Sequence, residues 1–285
     1  MVAPVSVIDA TKEEEQPADR PRAAGRRIGS TALTIYAVFG FIYLFLPIAW
    51  IVVFSFNDPE GRFNYLWSQF TLDNWADPFK DQGLTDAFWM SLKVAVVSVT
   101  VATLLGALIA IALSRYRFRG SSGMDIFLVL PLTTPEIVLG ASLLTLFIDR
   151  GAERGFWTIA IAHIMFCLSF VALTVKARIS GFDWSLEDAA ADLGATPWRT
   201  FRKITFPLVL PGILAAGLLS FALSIDDYII TSFVAGSTRT FPLQIFDSAR
   251  VQVSPQINVL ASIILFVSIA LLAVSSIFSG RRAAR

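Results

Sequence analysis

Cysteine and histidine are nearly missing from this sequence, with one of each in 285 residues. A lone Cys167 excludes an intrachain disulfide and a cysteine metal cluster, and inside a long apolar run it reads as a small packing residue. His163 has no companion ligands and reads as structural. These two side chains and a few scattered acids make no convergent set of nucleophile, base or metal ligands, which argues against a membrane-embedded enzyme. No Gly-x-x-x-x-Gly-Lys-Ser/Thr run occurs, so nothing here cradles the phosphates of a nucleotide. Charge is scarce too: 16% of the residues are Asp, Glu, Lys or Arg, against about a quarter in an ordinary soluble domain. No basic domain stands apart from the apolar runs, so nucleic acid is not expected as a partner.

What the chain has instead is long stretches without charge. Ile28 to Asn57, Val94 to Ser114, Gly155 to Val175 and Val251 to Gly280 contain none. Ile126 to Ile148 is interrupted only by Glu136, and Ile204 to Thr238 only by Asp226 and Asp227. About 20 apolar residues cross the roughly 30 Å hydrocarbon core as a helix, and a charge near its centre costs several kcal/mol. The expectation is an all-α, polytopic membrane protein with six transmembrane helices, at about 31–56, 88–114, 125–148, 155–177, 207–235 and 256–280. Residues 1–28 carry five acids and five bases and read as a disordered cytoplasmic tail ahead of a 29–280 membrane domain, with 281–285 as a second short tail. No apolar stretch with a cleavage site precedes the first span, so a cleaved signal peptide is not expected. With both termini inside, sixteen Lys and Arg fall on the inner side and six on the outer, Lys93 lying near the outer end of the second helix. That asymmetry sets both termini as cytoplasmic.

Two loops stand out. The first outer loop, Asp58 to about Asp86, has six acids against two bases together with Trp67, Phe70, Trp75 and Phe79. It reads as an interfacial flap, or as a docking surface for another protein. Between the fourth and fifth spans, residues 180–206 are polar for long enough to fold by themselves. Ser185 is placed to cap a short helix with Asp188 completing the box, Gly194 to end it in the left-handed conformation, and Thr196 with Pro197 to start a second helix. Ala189, Ala190 and Ala191 give the first helix a thin face that a partner's groove can approach, which favours docking over an amphipathic membrane-surface helix. A proton-coupled secondary transporter, the main rival class, has no need of such a segment.

The acids within the spans are candidates for a solute pathway, because buried ionisable groups in a membrane face internal cavities or partners. Glu136 follows Pro135 near mid-membrane, and Asp226 and Asp227 lie farther out. A cationic solute would suit all three, with Trp89, Tyr228 and Phe233 as aromatic surfaces for ammonium groups. The plainer reading is that one aspartate bonds to backbone near a helix break and that Glu136 satisfies groups freed by Pro135.

The segment Asp188-Ala189-Ala190, then Gly194, then Ile204-Thr205-Phe206-Pro207 resembles the signature of ABC importer inner-membrane permeases, a Glu-Ala-Ala loop followed by glycine and Ile-x-Leu-Pro. Asp188 replaces the usual Glu and Phe206 the usual Leu, with the spacing kept. Tyr116-Arg117-Phe118-Arg119-Gly120, His163 to Cys167, Asp192-Leu193-Gly194-Ala195, Leu223 to Asp227, Ser232-Phe233-Val234 and Val253-Ser254-Pro255 look like the second permease of spermidine/putrescine importers. The resemblance implies a type I ABC importer permease fold in a bacterial inner membrane, surrounded by lipid. Its coupling helix would lie between helices 4 and 5. Glu187, Asp188, Ala189, Ala190, Gly194, Ala195 and Pro197 would be its coupling residues. It also implies an ABC ATPase homodimer, a second related permease and an external substrate-binding protein as partners. This chain would bind no cofactor, with ATP and Mg used by the ATPase. The solute implied is a polyamine; an amino acid derivative, a sugar or a metal complex is the alternative.

Overall fold

The computed structural model describes residues 24–116 and 118–283. The expected tail over residues 1–23, Arg117 of the basic inner loop and residues 284–285 lie outside the described residues. The chain divides into two units, residues 1–49 and residues 50–285. In the first, helix α1 (Ala24–Phe54) has begun by Ala24, so residues 24–28, expected in the tail, are helical. The charge-free stretch that follows carries α1 on into the second unit.

In the second unit, three long helices hold the centre. They are α3 (Gln82–Arg115), α6 (Phe156–Ile179) and α9 (Phe206–Asp226). The facing positions are small and apolar: Ala95, Ala102 and Ala110 of α3, Ala162 and Ala172 of α6, and Ala216 of α9 are buried. Small residues let helix backbones approach closely where lipid supplies no hydrophobic drive between helices. Asp81 caps α3 by accepting from the Leu84 N–H at 3.1 Å, which starts that helix six residues earlier than the sequence suggested. Between α1 and α3, α2 (Asp73–Ala76) and a hairpin of two-residue strands, β1 (Asn57–Asp58) with β2 (Gln69–Phe70), fold the acidic loop into ordered structure. Buried Asn57 and Asn64 bond to each other and to the Leu66 and Phe54 carbonyls, while Phe56 stacks on Phe70 and Trp75. The loop is thus ordered, with Leu66, Phe70 and Leu72 left exposed on it.

Two of the six expected spans are interrupted. The third consists of α4 (Ser121–Thr133) and α5 (Glu136–Asp149), bent by 104° at Thr134–Pro135. Pro135 cannot continue the hydrogen-bond ladder of α4, and its fixed φ suits the turn just before α5. The fifth ends as a helix at Asp226, and the chain resumes as α10 (Ile229–Val234). These outer pieces pack together, with Phe233 pressed onto Gly140 so closely that a Cβ there would lie 2.5 Å from the Phe233 ring. A short α11 (Phe241–Ser248) then leads to α12 (Pro255–Ala283), where the sixth span was expected.

Candidate functional site

Two places gather the residues singled out from the sequence. The first is the polar segment after α6, which forms α7 (Ser185–Asp192) and α8 (Pro197–Thr200). Ser185 does not cap α7. Asp183 does that work by accepting from the Ser185 N–H at 3.0 Å, and the bonds from Ser185 hold the Asp183 carboxyl below its ordinary range. The end of α7 is as expected: Gly194 has φ +78°, and bonds from the Gly194 and Ala195 N–H groups to the Ala191 and Ala190 carbonyls, both 2.9 Å, complete a Schellman turn. Thr196 adopts extended geometry without a side-chain cap, and Pro197 occupies the first helical position. From there the chain stays helical into α9 through a π turn at Phe201–Thr205. Pro207 has no N–H to donate, and the wider turn accommodates the gap, so the prolines sit within a continuous helix rather than opening the span.

Glu187 is placed differently from its neighbour Asp188. It faces inward, paired with the Arg115 guanidinium at the end of α3 and accepting from Thr205 Oγ1 at the π turn. Arg115 also lies over the Trp184 ring at 5.4 Å, and Phe182 and Trp184 pack on the cluster of Val175, Ile179, Val209 and Ile213. The loop is therefore fastened to α3, α6 and α9 together. Its outer surface carries exposed Asp188, Ala189, Gly194 and Pro197, with Leu193 89% and Trp198 69% exposed, while Ala190 is buried beneath and Ala195 is half-buried.

The second place is a cavity of about 540 Å³ at the two span interruptions. Glu136, the first residue of α5, Asp226, the last of α9, and Asp227 and Tyr228 between α9 and α10 all line it, with Phe166, Phe170 and Leu223 as apolar wall. Three carboxylates that are up to 91 positions apart in sequence thus border one space. Their settings differ. Asp227 Oδ2 accepts from Thr231 N at 2.8 Å and Thr231 Oγ1 at 2.6 Å, capping the start of α10. Among the described residues, neither Glu136 nor Asp226 has a cationic partner.

Two aromatic expectations are corrected. Trp89 stacks on Phe79 and lines a separate apolar cavity of about 280 Å³ with Phe88, Phe221 and Ile263. Phe233 belongs to the core against Gly140. Tyr228 alone of the three aromatics borders the acids. His163 escaped notice as a site residue, although it is 1% exposed and contacts Ser224, Thr231 and Asp227, because those partners lie 61 to 68 positions away.

A bundle of apolar spans with an internal acidic cavity and a helix-turn-helix fastened to three of those spans is the architecture of a transport permease. The chain belongs to the binding-protein-dependent transport system inner membrane component family, whose model matches residues 102–284. It is 42% identical over 252 residues to the spermidine/putrescine transport system permease protein PotC of Escherichia coli (strain K12), covering 88% of this chain and 93% of that one. It is 38% identical to the putrescine transport system permease protein PotI of the same strain, over 81% and 84% of the two chains. Among solved structures, a bacterial ABC transporter that imports alginate aligns over 90% of this chain and 96% of its own with a TM-score of 0.66 at 14% identity. A chain of the MetNI methionine ABC transporter in an inward-facing conformation aligns over 68% and 94% with a TM-score of 0.57 at 16% identity. The fold is that of ABC importer permeases, and the chain is a multi-pass transport component.

Proposed function

We propose that this chain forms part of the path of a polyamine such as spermidine or putrescine across the inner membrane, driven by a separate ATPase. The observation that carries the reading is the placement of Glu136 and Asp226 on one cavity at the two broken spans, without cationic partners among the described residues. A carboxylate inside a bilayer is costly unless a positive charge meets it, and a protonated amine supplies that charge during passage. Tyr228 adds a ring face for an ammonium group, and Phe166, Phe170 and Leu223 suit the methylenes between amines. The relatives named for spermidine and putrescine transport support the same class of solute.

The loop from Ser185 to Lys203 is the coupling element. Asp188, Ala189, Gly194, Leu193 and Trp198 present the docking face to an ABC ATPase homodimer that binds ATP and Mg. Exposed Pro197 belongs to the same face, and Glu187, Ala190 and Ala195 shape it from within. Hydrolysis there moves α7 and, through Arg115, Glu187 and Thr205, the spans to which it is tied. The cavity then opens to one side or the other as partner binding shifts the populations. A second related permease completes the path and an external binding protein delivers the solute, with both termini in the cytoplasm, a placement the Lys and Arg asymmetry supports.

The test is uptake by the assembled complex in proteoliposomes. Asp226→Asn and Glu136→Gln are each expected to lower spermidine uptake on the order of tenfold, about 1.4 kcal/mol of lost stabilisation, with assembly intact. Gly194→Trp is expected to abolish ATPase binding while the chain still inserts. Wild-type uptake in both acid variants refutes the pathway, and normal assembly of Gly194→Trp with the ATPase refutes the docking assignment.

A further inference from the structure

Both ring nitrogens of buried His163 are engaged, and they reach across to both sides of the interruption in the fifth span. Nδ1 lies 2.7 Å from Ser224 Oγ in the last turn of α9, and Nε2 lies 2.9 Å from Thr231 Oγ1 in α10. Counting protons assigns the donors. Thr231 Oγ1 gives its only proton to Asp227 Oδ2 at 2.6 Å, so it accepts from the ring, and Nε2 carries the hydrogen. That same nitrogen lies 3.4 Å from Asp227 Oδ2. On the other side, Ser98 of α3 spends its proton on the Val94 carbonyl at 2.6 Å and stands 3.3 Å from Ser224. Ser98 Oγ can then only accept from Ser224, and at 3.3 Å it competes poorly with Nδ1 at 2.7 Å, which takes the Ser224 proton because the ring hydrogen is on Nε2.

A helix interrupted within a bilayer leaves N–H groups and carbonyls that only protein can satisfy. Asp227 answers one N–H of α10, but a buried carboxylate needs donors of its own. His163, held on α6, sets Thr231 against that carboxylate and brings its own Nε2–H alongside. Asp226, the last residue of α9, precedes the extended backbone at Asp227 and has none of these bonds.

We infer that His163 is a positioning residue for the cavity: by anchoring Thr231 and Asp227 it fixes the break in the fifth span, so that Asp226, rather than Asp227, presents its carboxylate to the solute beside Glu136. The inference rests on the reading that this cavity takes a cationic solute. It divides two adjacent aspartates into one that holds the backbone and one that meets the cargo.

The experiment uses the full complex in proteoliposomes with spermidine-loaded binding protein, reading uptake and the thermal midpoint of the complex for each variant. His163→Leu is expected to lower both, uptake by about tenfold or more for a lost bond to a charged network. His163→Gln, whose amide N–H can serve Thr231, is expected to recover uptake to within about threefold of wild type. The double variant His163→Leu/Asp227→Asn is expected to be no worse than its worse parent, because both changes break one unit. Asp226→Asn is expected to lower uptake and leave the midpoint unchanged. His163→Gln as defective as His163→Leu, full additivity in the double variant, or wild-type uptake by His163→Leu would each overturn the inference. Should His163→Leu fail to assemble, His163→Gln decides: assembly with uptake near wild type supports the anchor, and failure of His163→Gln to assemble or transport counts against it. Failure of the solute reading looks different: Asp226→Asn and Glu136→Gln transport normally, while the His163 and Asp227 effects on the midpoint remain non-additive.

Discussion

Adjacent residues in this chain do different work, and the difference comes from what lies across from each. Gly140 is a residue whose missing side chain is required, since a Cβ there meets the Phe233 ring at 2.5 Å. Gly140→Val is expected to destabilise the chain by about 1–3 kcal/mol through overpacking of α5 against α10, read as a lower thermal midpoint. Adding Phe233→Ala to that variant is expected to restore part of the loss, and no restoration would show that the strain lies elsewhere. Such pairings were hidden in the sequence. The three intramembrane acids were visible because charge is rare there, but nothing local separated Asp226 from Asp227. The Thr231 bonds that separate them depend on the helix ending between the two. Trp89 and Phe233 failed as pathway residues for a similar reason: an aromatic in an apolar run carries no mark of the face it will occupy.

Among the elements, α7 is the one whose geometry the sequence disclosed most fully. Gly194, Pro197 and the three alanines each constrain backbone locally, and local constraints are what a sequence reveals. The way α7 is fastened was not disclosed, because Arg115 and Glu187 are 72 positions apart and nothing local set Glu187 apart from Asp188. Removing that fastening separates docking from transmission. Glu187→Ala is expected to leave ATP hydrolysis largely intact and to lower solute moved per ATP about 5- to 20-fold, a coupling loss on the order of 1–2 kcal/mol. An unchanged ratio of transport to hydrolysis would remove Glu187 from the path. The interrupted spans show the limit of reading by charge gaps. A gap records that a segment is apolar, not that it is straight, and Pro135 hinted at a break whose 104° bend the neighbouring α10 accommodates.

At the scale of the whole molecule, the several apolar spans were legible from composition alone, while the expected orientation rests on where Lys and Arg lie. The buried thiol of Cys167 allows a check of that orientation: wild-type chain in intact membranes is expected to resist a maleimide reagent. Trp198→Cys should react only from the cytoplasmic face and Leu66→Cys only from the outer face, with Trp198→Cys protected once the ATPase is bound. Labelling of both from one side would reverse or refold the topology. The central claim is that this permease passes a polycation with energy taken from a partner ATPase. Its most direct test is ATP hydrolysis and uptake by the reconstituted complex, offered binding protein loaded with spermidine, putrescine, a neutral sugar or an amino acid. Stimulation and uptake with the two polyamines, both reduced by Asp226→Asn, are the expected result. Stimulation by the neutral sugar with none by either polyamine would contradict it.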